Sequence, residues 1–377
     1  MKISEIRLFH LSAPLSEPIG NALVFFPKRQ TLLVEIVAGG KSGWGEAWLA
    51  PGSAAAVIET QLAGLLLGRD PTHIGALWQT MREATEGDGA MVAIAALDMA
   101  LHDLTARVYD ISLVTLLGGA RRETVQAYAS GPFFKPNGHP YRDFEREIDG
   151  YLEEGFRALK VRSGFKPDDD VAAILATRQQ VGDAVDLMLD FNQSCTPRRS
   201  ISTAAAMEDA RLLWIEEPAR PGDLAGYRLA AQHIKPAIAG GETLTTANAF
   251  LPHLIEGSMD ILQPDIAICG GLTGVRQVAN LAQIYQRPLI PHVWGSTVNF
   301  HAALHLVANL PPQRGGGSSA FPYLEYDVGE NPLLELAGRP RLNEDGSISV
   351  PEGPGLGISL TAAAFEPFVT SSHVLSS

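Results

Sequence analysis

The sequence has little cysteine and no long apolar run, and these absences exclude whole classes of protein. Two cysteines among 377 residues, Cys195 and Cys269, cannot build a disulfide framework or a cysteine-rich zinc site. No stretch is apolar over the length of a bilayer, and residues 1–5 lack the apolar segment that begins a signal peptide. We therefore expect a cytoplasmic protein without a membrane segment.

Positive charge is also scarce. Lysine and arginine number 29 against 42 aspartates and glutamates, which gives a formal net charge of −13. Such a surface disfavours nucleic acids and anionic membranes as partners. The composition is otherwise that of a globular protein, with 46% hydrophobic and 19% charged residues, so it can build a sizeable core.

The hydrophobic pattern changes near residue 125. Before it, β-rich segments at 3–10 and 31–37 precede helical patterns at 54–67 and 91–108, which predicts an α+β unit over residues 1–124. After it, short apolar runs alternate with longer helical stretches, a pattern typical of a TIM-like parallel barrel. We predict an α/β chain with the barrel at 125–333. A segment at 334–377, rich in proline and glycine, is predicted to pack back on the first unit.

Three carboxylates follow three successive apolar runs. Asp190, Glu216 and Glu242 are each separated from the next by 26 positions, about the length of one strand-and-helix unit. In a parallel barrel they would gather at one rim, where their repulsion calls for a hard cation. Carboxylates without cysteines or several histidines favour Mg²⁺, with Mn²⁺ as the alternative. The spacing therefore predicts a divalent metal site.

Nine short motifs occur in order along nearly the whole chain. They are LDMALHD at 97–103, LLGG at 116–119, KVR at 160–162, DFN at 190–192, WIEEP at 214–218, AGGET at 239–243, QPD at 263–265, PHVWGS at 291–296 and LEY at 324–326. In this set and order the chain resembles the mandelate racemase subgroup of the enolase superfamily. The resemblance implies a (β/α)7β barrel with an N-terminal capping domain. Loops of that domain, near 15–26 and 47–53, would cover the barrel mouth and contact the substrate.

The resemblance also implies the metal ligands and the proton carrier. Asp190, Glu216 and Glu242 match its Mg²⁺ ligands. Asp265 and His292 match an Asp–His dyad in which the carboxylate orients an imidazole that takes or gives a proton. The implied reaction is abstraction of a proton next to a carboxylate, which gives a metal-stabilised enolate of a small carboxylate substrate.

Further positions complete the predicted site. Lys160 matches the first lysine of a Lys-x-Lys motif, and Glu325 matches an acid that donates a hydrogen bond to the substrate carboxylate. Asn192 and Trp294 are predicted to bind substrate. The second lysine of the motif is Arg162 in this chain. A guanidinium stays protonated and is a poor base, although it can clamp a carboxylate or stabilise an enolate.

Arg162 decides which reaction we expect. A racemase needs a competent base on each face of its substrate, and this chain offers one, His292. We therefore predict β-elimination of water from a sugar acid, either an aldonate or an aldarate. Racemisation or epimerisation and the cycloisomerisation of a lactone stay open on the same scaffold, as does a metal-binding homologue without turnover. The resemblance also implies a homo-oligomer, either a dimer or an octamer.

Overall fold

An antiparallel sheet forms the base of the N-terminal unit. The computed structural model describes residues 1–85, 87–312 and 321–376. Strands β1 (Ile3–Gly20), β2 (Phe25–Ala38) and β3 (Lys41–Ala47) follow one another through short turns. The C-terminal strand β12 (Val369–Ser376) pairs with β1, so the sheet order is β12-β1-β2-β3. The two ends of the chain therefore meet in one sheet.

Helices pack against this sheet and fix the position of its last strand. They are α1 (Pro51–Val57), α2 (Ala63–Leu66), α3 (Ile74–Glu83) and α4 (Met91–Val108), with a π-helical stretch, Ile58–Leu62, between the first two. The short α5 (Leu113–Leu116) follows and packs in the cluster that the barrel shares. Helix α4 lies so close to β3 that a Cβ atom on Gly45 would be 1.9 Å from the carbonyl oxygen of Ala96. Only glycine permits this approach, and it sets where the next residue, Glu46, enters the interface with the barrel.

The barrel alternates strands and helices. Its elements are, in chain order, β4 (Thr124–Ser130), α6 (Phe144–Glu154), β5 (Ala158–Arg162), α7 (Pro167–Val181), β6 (Asp186–Asp190), α8 (Pro197–Ala206), β7 (Trp214–Glu216), α9 (Leu224–His233), β8 (Ala237–Gly240), α10 (Ala247–Glu256), β9 (Ile261–Leu262), α11 (Gly271–Ile284), α12 (Thr297–Asn309) and β10 (Leu324–Asp327). Residues 289–292 occupy the seventh strand position, since Leu289 and His292 form parallel bridges to Leu262 and Asp265. Strand β10 pairs in parallel with β4, so the last strand lies beside the first.

Side chains at alternate strand positions fill the barrel interior. The next side chains on the same face of each strand lie at the barrel rim. The interior cluster consists of Tyr128, Ala158, Met188, Trp214, Ala239, Ile261, Ile290, Phe321 and Tyr323. Successive side chains on a strand alternate between its two faces, so the residue two positions later shares the interior. The residues two positions after Ala158, Met188, Trp214, Ile290 and Tyr323 are Lys160, Asp190, Glu216, His292 and Glu325. The strand period therefore places five predicted site residues in one layer near the carboxyl ends of the strands.

The C-terminal segment contacts both units. It contains β11 (Ser347–Ser349), which pairs antiparallel with β4, then α13 (Ala362–Phe365), a 3₁₀ turn (Glu366–Phe368) and β12. The backbone N–H of Leu356 donates to Asp103 on α4 at 2.8 Å. The Arg107 guanidinium donates to the carbonyl oxygen of Ile358 at 2.9 Å. These bonds hold the segment against α4.

The predicted fold class, an α/β chain with a (β/α)7β barrel and an N-terminal α+β capping domain, is confirmed, but two local predictions are not. The loop predicted at 15–26 is reduced to residues 21–24, because β1 and β2 continue past a register shift between Pro14 and Ile19. The helix predicted at 54–67 is interrupted by the π-helical stretch. The domain limits at 124 and 333 stay a prediction. No helix among the described residues is long and apolar enough to cross a membrane.

Candidate metal centre and active site

Three carboxylates meet at the barrel rim. Asp190 and Glu216 end β6 and β7, and Glu242 follows β8. Asp190 and Glu216 are buried, and 15% of the Glu242 side chain is exposed. Each offers one oxygen, and the three oxygens lie within 4.8 Å of one another. Burial raises the pKa of each carboxyl above its usual value, and repulsion between neighbouring carboxylates adds to this. A divalent cation fits this set, because it would relieve both effects with oxygen ligands alone.

Neighbouring amides fix the orientation of two of these carboxylates. The backbone N–H and the side-chain amide of Asn192 donate to the two oxygens of Asp190, both at 2.7 Å. The Gln263 amide donates to Glu216 at 2.6 Å. Asn192 was predicted to bind substrate, and its side-chain oxygen has no hydrogen-bond partner among the described residues. Gln263 appeared in the sequence only within the QPD motif, so its contact with Glu216 was not foreseen.

A fourth buried carboxyl, Glu217, adjoins the three. Its backbone adopts a left-handed conformation, with φ of 46°. One oxygen accepts a hydrogen bond from Gln193 at 2.8 Å, and the other has no partner among the described residues. Burial raises the pKa of Glu217 well above its usual value, and Glu242 and Asp190 add to the rise. The WIEEP motif contains two consecutive acids, Glu216 and Glu217. Strand periodicity predicted that Glu216 lies in the site, but it did not predict this for Glu217.

His292 and Asp265 form a close pair on adjacent strand positions. Their Nδ1 and Oδ2 atoms are 2.7 Å apart. Because a carboxylate only accepts, Nδ1 carries a hydrogen and Nε2 is left for chemistry. Nε2 lies 3.4 Å from a Glu242 oxygen, which connects the pair to the three acids. Burial lowers the pKa of His292, but Glu242, Glu325 and Asp265 more than offset this and raise it to about 10. A cation held by Glu242 would counter the largest of these contributions and leave the imidazole able to accept a proton.

The capping domain also reaches Asp265, and the sequence did not reveal this. Trp48 follows β3, and its indole Nε1–H donates to Asp265 Oδ2 at 3.0 Å. Its ring centroid lies 5.9 Å from that of His292. The Asn299 amide on α12 and the backbone N–H of Ala267 donate to the other Asp265 oxygen, at 3.1 and 2.7 Å. Four donors therefore fix this carboxylate. Trp48 is 217 positions from Asp265 in the sequence. The sequence indicated a role for Trp48 only through its place in the predicted loop at 47–53.

A second capping-domain residue, Glu46, anchors the start of α12. It is buried and accepts hydrogen bonds from the backbone N–H groups of Ser296 and Asn299, both at 2.9 Å, from the Ser296 hydroxyl and from Thr31. Burial raises the pKa of Glu46 to about 7, although these donors favour its charged form. Because Asn299 also holds Asp265, Glu46 supports the Asp–His pair indirectly.

Glu46 is expected to make stability depend on pH. Its folded-state pKa lies above the ordinary value of 4.5, so its contribution to stability is complete below pH 4.5 and is lost as the pH rises to about 7. In the Glu46→Gln variant this loss is absent. The difference in unfolding free energy, variant minus wild type, should rise between pH 5 and pH 8 by up to roughly 3 kcal/mol. Urea unfolding at both pH values measures it. The exposed control Glu352→Gln should follow the wild type, and a Glu46→Gln profile parallel to the wild type would refute the assignment.

Lys160 lies between two carboxylates. Its Nζ atom is 2.8 Å from Glu216 and 2.8 Å from Glu325, and 3.9 Å from Asp190. Burial would lower the pKa of Lys160, but Glu216 and Glu325 hold it well above its usual value. The ammonium therefore keeps its proton and is placed to face a negatively charged ligand.

Glu325 is the second carboxylate beside Lys160. It accepts hydrogen bonds from Lys160 and, at 2.9 Å, from the backbone N–H of Val293. Burial would raise the pKa of Glu325, but Lys160 and His292 lower it to about 2. The group is a carboxylate in this arrangement, because the adjacent cations stabilise its charge more than burial opposes it. The role of Glu325 as a hydrogen-bond donor to the substrate carboxylate stays a prediction.

Arg162 and Trp294 lie on the capping side of the site. The Arg162 guanidinium carbon is 3.7 Å from the centre of the Phe133 ring. Trp294 packs against Phe133 and against Phe26 of β2, with ring centres 5.7 and 5.8 Å apart. The structure thus brings all ten predicted site residues to one end of the barrel, with the capping sheet beside them.

Comparison with known proteins agrees with this architecture. Residues 3–118 match the family model described as "Mandelate racemase / muconate lactonizing enzyme, N-terminal domain", and residues 143–364 match "Enolase C-terminal domain-like". The chain is 33% identical over 374 residues to a D-galactarolactone cycloisomerase from Agrobacterium fabrum, covering 98% of this chain and 99% of that protein. It is 30% identical to an arabinonate dehydratase from Saccharolobus solfataricus, covering 87% of both.

A solved structure extends the likeness to a liganded protein. The L-talarate dehydratase from Polaromonas sp. JS666, complexed with Mg and L-glucarate, superposes with a TM-score of 0.85 at 29% identity. The match covers 100% of this chain and 99% of that one. Two family models and a full-length relative at 33% identity agree with the barrel, the capping domain and the acidic rim. The chain therefore belongs to the enolase superfamily, within its mandelate racemase and muconate lactonizing enzyme group.

Proposed function

We propose that this protein abstracts a proton α to the carboxylate of a sugar acid in a Mg²⁺-dependent reaction and then eliminates water from the β-position. The observation that carries the proposal is the geometry of His292. Its Nδ1 is held by Asp265, and its Nε2 is 3.4 Å from Glu242 of the acidic triad. A proton carrier is thus next to the place where a cation would hold the substrate.

Asp190, Glu216 and Glu242 would hold the metal. Their oxygen ligands suit Mg²⁺, and Mn²⁺ has the same preference. When bound, the cation supplies positive charge to a substrate carboxylate and so favours the enolate over the acid. Metals are also present in relatives, since the L-talarate dehydratase structure contains Mg.

His292 would carry the proton in both halves of the reaction. Nε2 takes the α-proton, and the C–H electron pair moves into the carboxylate to give the enolate. The enolate then expels the β-hydroxyl, which takes the proton from the imidazolium and leaves as water. The resulting enol tautomerises to a 2-keto-3-deoxy acid. Asp265 keeps Nδ1 protonated throughout and stabilises the imidazolium.

Lys160 would stabilise the charge that develops on the substrate. Its ammonium is buried, protonated and positioned by Glu216 and Glu325. A hydrogen bond from a fixed cation strengthens as the substrate carboxylate becomes an enolate, so it lowers the barrier selectively. We assign to Lys160 the donor role that was expected of Glu325, and to Glu325 the positioning of Lys160.

A second candidate is the cycloisomerisation of a sugar lactone. It needs the same enolate, and the relative at 33% identity carries that activity in its name. When the β-oxygen belongs to a lactone ring, the enolate expels a ring carboxylate instead of hydroxide. Racemisation is less favoured, because position 162 on β5 carries a guanidinium, which is a poor base for the opposite face.

A panel of aldonates, aldarates and their lactones with Mg²⁺ tests the proposal. Carbon NMR identifies the product. A keto-deoxy acid formed from an open-chain sugar acid supports dehydration, and ring opening of a lactone without water loss supports cycloisomerisation. Stereoinverted substrate carrying solvent deuterium would indicate an epimerase. No turnover by the Mg²⁺-loaded protein across the panel would contradict the proposal and favour a non-catalytic homologue. The homo-oligomer, a dimer or an octamer, and the cytoplasmic location stay predictions.

Trp48→Phe is expected to lower kcat by about tenfold, because a hydrogen bond to a charged group is lost. Without this donor, Asp265 should attract the Nδ1 proton more strongly, so the ascending limb of the kcat–pH profile should move to higher pH. KM should change less than kcat, since Trp48 acts through Asp265. Steady-state kinetics between pH 6 and 10 measures both. An unshifted profile, with the loss mainly in KM rather than in kcat, would show that Trp48 merely packs.

A further inference from the structure

Arg162 is a buried cation. Only 5% of its surface is exposed. Within the described parts of the chain it forms no ion pair, and its Nη1 has no hydrogen-bond partner. The stacking on Phe133 at 3.7 Å contributes little against the cost of removing a guanidinium from water. A buried charge of this kind is normally compensated by an anion.

A second buried arginine, Arg29, reaches the same place from the capping sheet. It is 3% exposed, and its guanidinium lies 4.1 Å from the Trp294 ring and 5.6 Å from the Phe133 ring. Its Nε donates to the carbonyl oxygen of Glu330, and its Nη2 pairs with Asp327 at 2.9 Å. Its Nη1, like that of Arg162, has no partner in the described ranges.

The two guanidiniums influence each other. Burial lowers the pKa of Arg29, Asp327 opposes this, and Arg162 adds to the lowering by repulsion. Asp327 pairs with Arg29, whereas no described carboxylate lies within ion-pair distance of Arg162, which interacts with Asp190 only at longer range. With Asp190 engaged by a cation, one positive charge in this part of the site would be left without a counter-charge. A single carboxylate from a ligand would balance that charge and would give both unpartnered Nη1 atoms an acceptor.

We propose that Arg29 and Arg162 form a recognition site for a second carboxylate of the substrate, so that the substrate is a dicarboxylic sugar acid. The inference rests on the proposed function, in which Lys160 and the acidic triad hold the first carboxylate. Arg162 is two residues beyond Lys160 on β5 and shares its face of the strand. Arg29 belongs to the capping domain. Recognition of the distal carboxylate of the substrate therefore requires residues of both the barrel and the capping domain. The substrate class becomes aldarate rather than aldonate.

Galactarate and galactonate are the appropriate probes, because they differ only at one end, where a carboxylate replaces a hydroxymethyl group. Calorimetry on the Mg²⁺-loaded His292→Asn variant measures binding without turnover. We expect galactarate to bind about 10- to 100-fold more tightly than galactonate, as for one or two hydrogen bonds to charged groups. This comparison uses intact arginines, so it does not depend on whether an arginine variant folds.

Arginine variants in the His292→Asn background test whether Arg29 and Arg162 cause the difference between galactarate and galactonate affinity. Arg29→Met and Arg162→Met should each reduce the ratio of galactarate to galactonate affinity by about tenfold. Arg162→Lys keeps the charge but not the planar fork, so it should restore only part of the advantage. Arg146→Met on α6, whose side chain is 73% exposed, is the matched control and should bind both probes as the parent does.

The outcomes separate this inference from the proposed function. Galactonate binding that equals or exceeds galactarate binding overturns the inference, and dehydration of galactonate by the wild type would then leave the proposed function standing. Tight, arginine-dependent galactarate binding without turnover by the wild type supports the inference and contradicts the proposed function. An advantage for galactarate that survives both arginine substitutions overturns the assignment to Arg29 and Arg162.

Discussion

Replacing His292 by asparagine is expected to reduce kcat by about 10³-fold or more, which is within the usual contribution of a positioned general base. The reason is that Nε2 would both remove the α-proton and return it to the departing hydroxyl. Asparagine is close to the imidazole in size near its Cβ atom but carries no titratable nitrogen. The acidic triad is left in place, so Mg²⁺ affinity should stay within a few-fold of the wild type or increase, because a protonated imidazole beside Glu242 opposes cation binding.

Two measurements check this prediction together. Steady-state kinetics on the best substrate of the panel gives kcat, and calorimetric titration gives the Mg²⁺ affinity. The control is His233→Asn on α9, an exposed histidine whose ring bonds, among the described residues, to the Leu229 carbonyl of its own helix. It should retain full activity. If His292→Asn kept more than a tenth of wild-type turnover, the base would be another group.

Replacing Glu242 by glutamine should weaken Mg²⁺ binding by more than about 100-fold, since even changes that only disturb the groups behind a metal ligand cost 10- to 100-fold. The substitution has the opposite effect on the metal-free protein. The pKa of Glu242 is raised by burial and by Glu216, so its charge is unfavourable there, and the metal-free variant should be at least as stable as the metal-free wild type.

Thermal unfolding with and without Mg²⁺ measures both effects. Mg²⁺ at 100 times its dissociation constant stabilises the wild type by about 2.7 kcal/mol. At the same concentration the variant should show almost no increase in Tm. The control is Glu153→Gln, an exposed acid on α6, which should behave as the wild type in both conditions. Equal increases in Tm for Glu242→Gln and wild type would mean that the cation binds elsewhere.

Strand periodicity explains why much of the site could be predicted from the sequence. Asp190 and Glu216 end successive apolar runs, and their side chains enter the barrel for the same reason that Met188 and Trp214 do. Closure of the barrel then brings Asp190 and Glu216 together, independently of the sequences of the helices between their strands. The Asp265–His292 pair was predictable on the same grounds, since adjacent parallel strands end at the same rim.

The contacts from the capping domain could not be predicted in this way. Trp48 and Glu46 reach Asp265 and Ser296 across 217 and 250 positions, and no local pattern encodes such a separation. No pattern in the sequence pointed to Arg29, and its burial arises only when the sheet docks on the barrel. The lowered pKa of Glu325 could not be predicted from the sequence either, because it depends on the distance between the Glu325 and Lys160 side chains rather than on residue type.

The central claim is that a cation at the acidic triad and His292 together remove a proton α to a carboxylate. The most direct measurement is proton NMR of the preferred sugar acid in D₂O, following loss of the α-hydrogen signal with the Mg²⁺-loaded protein, with metal-free protein and with the Mg²⁺-loaded His292→Asn variant. We predict loss of the signal with the Mg²⁺-loaded wild type alone. Loss at an equal rate in the metal-free protein or in the variant would contradict the account.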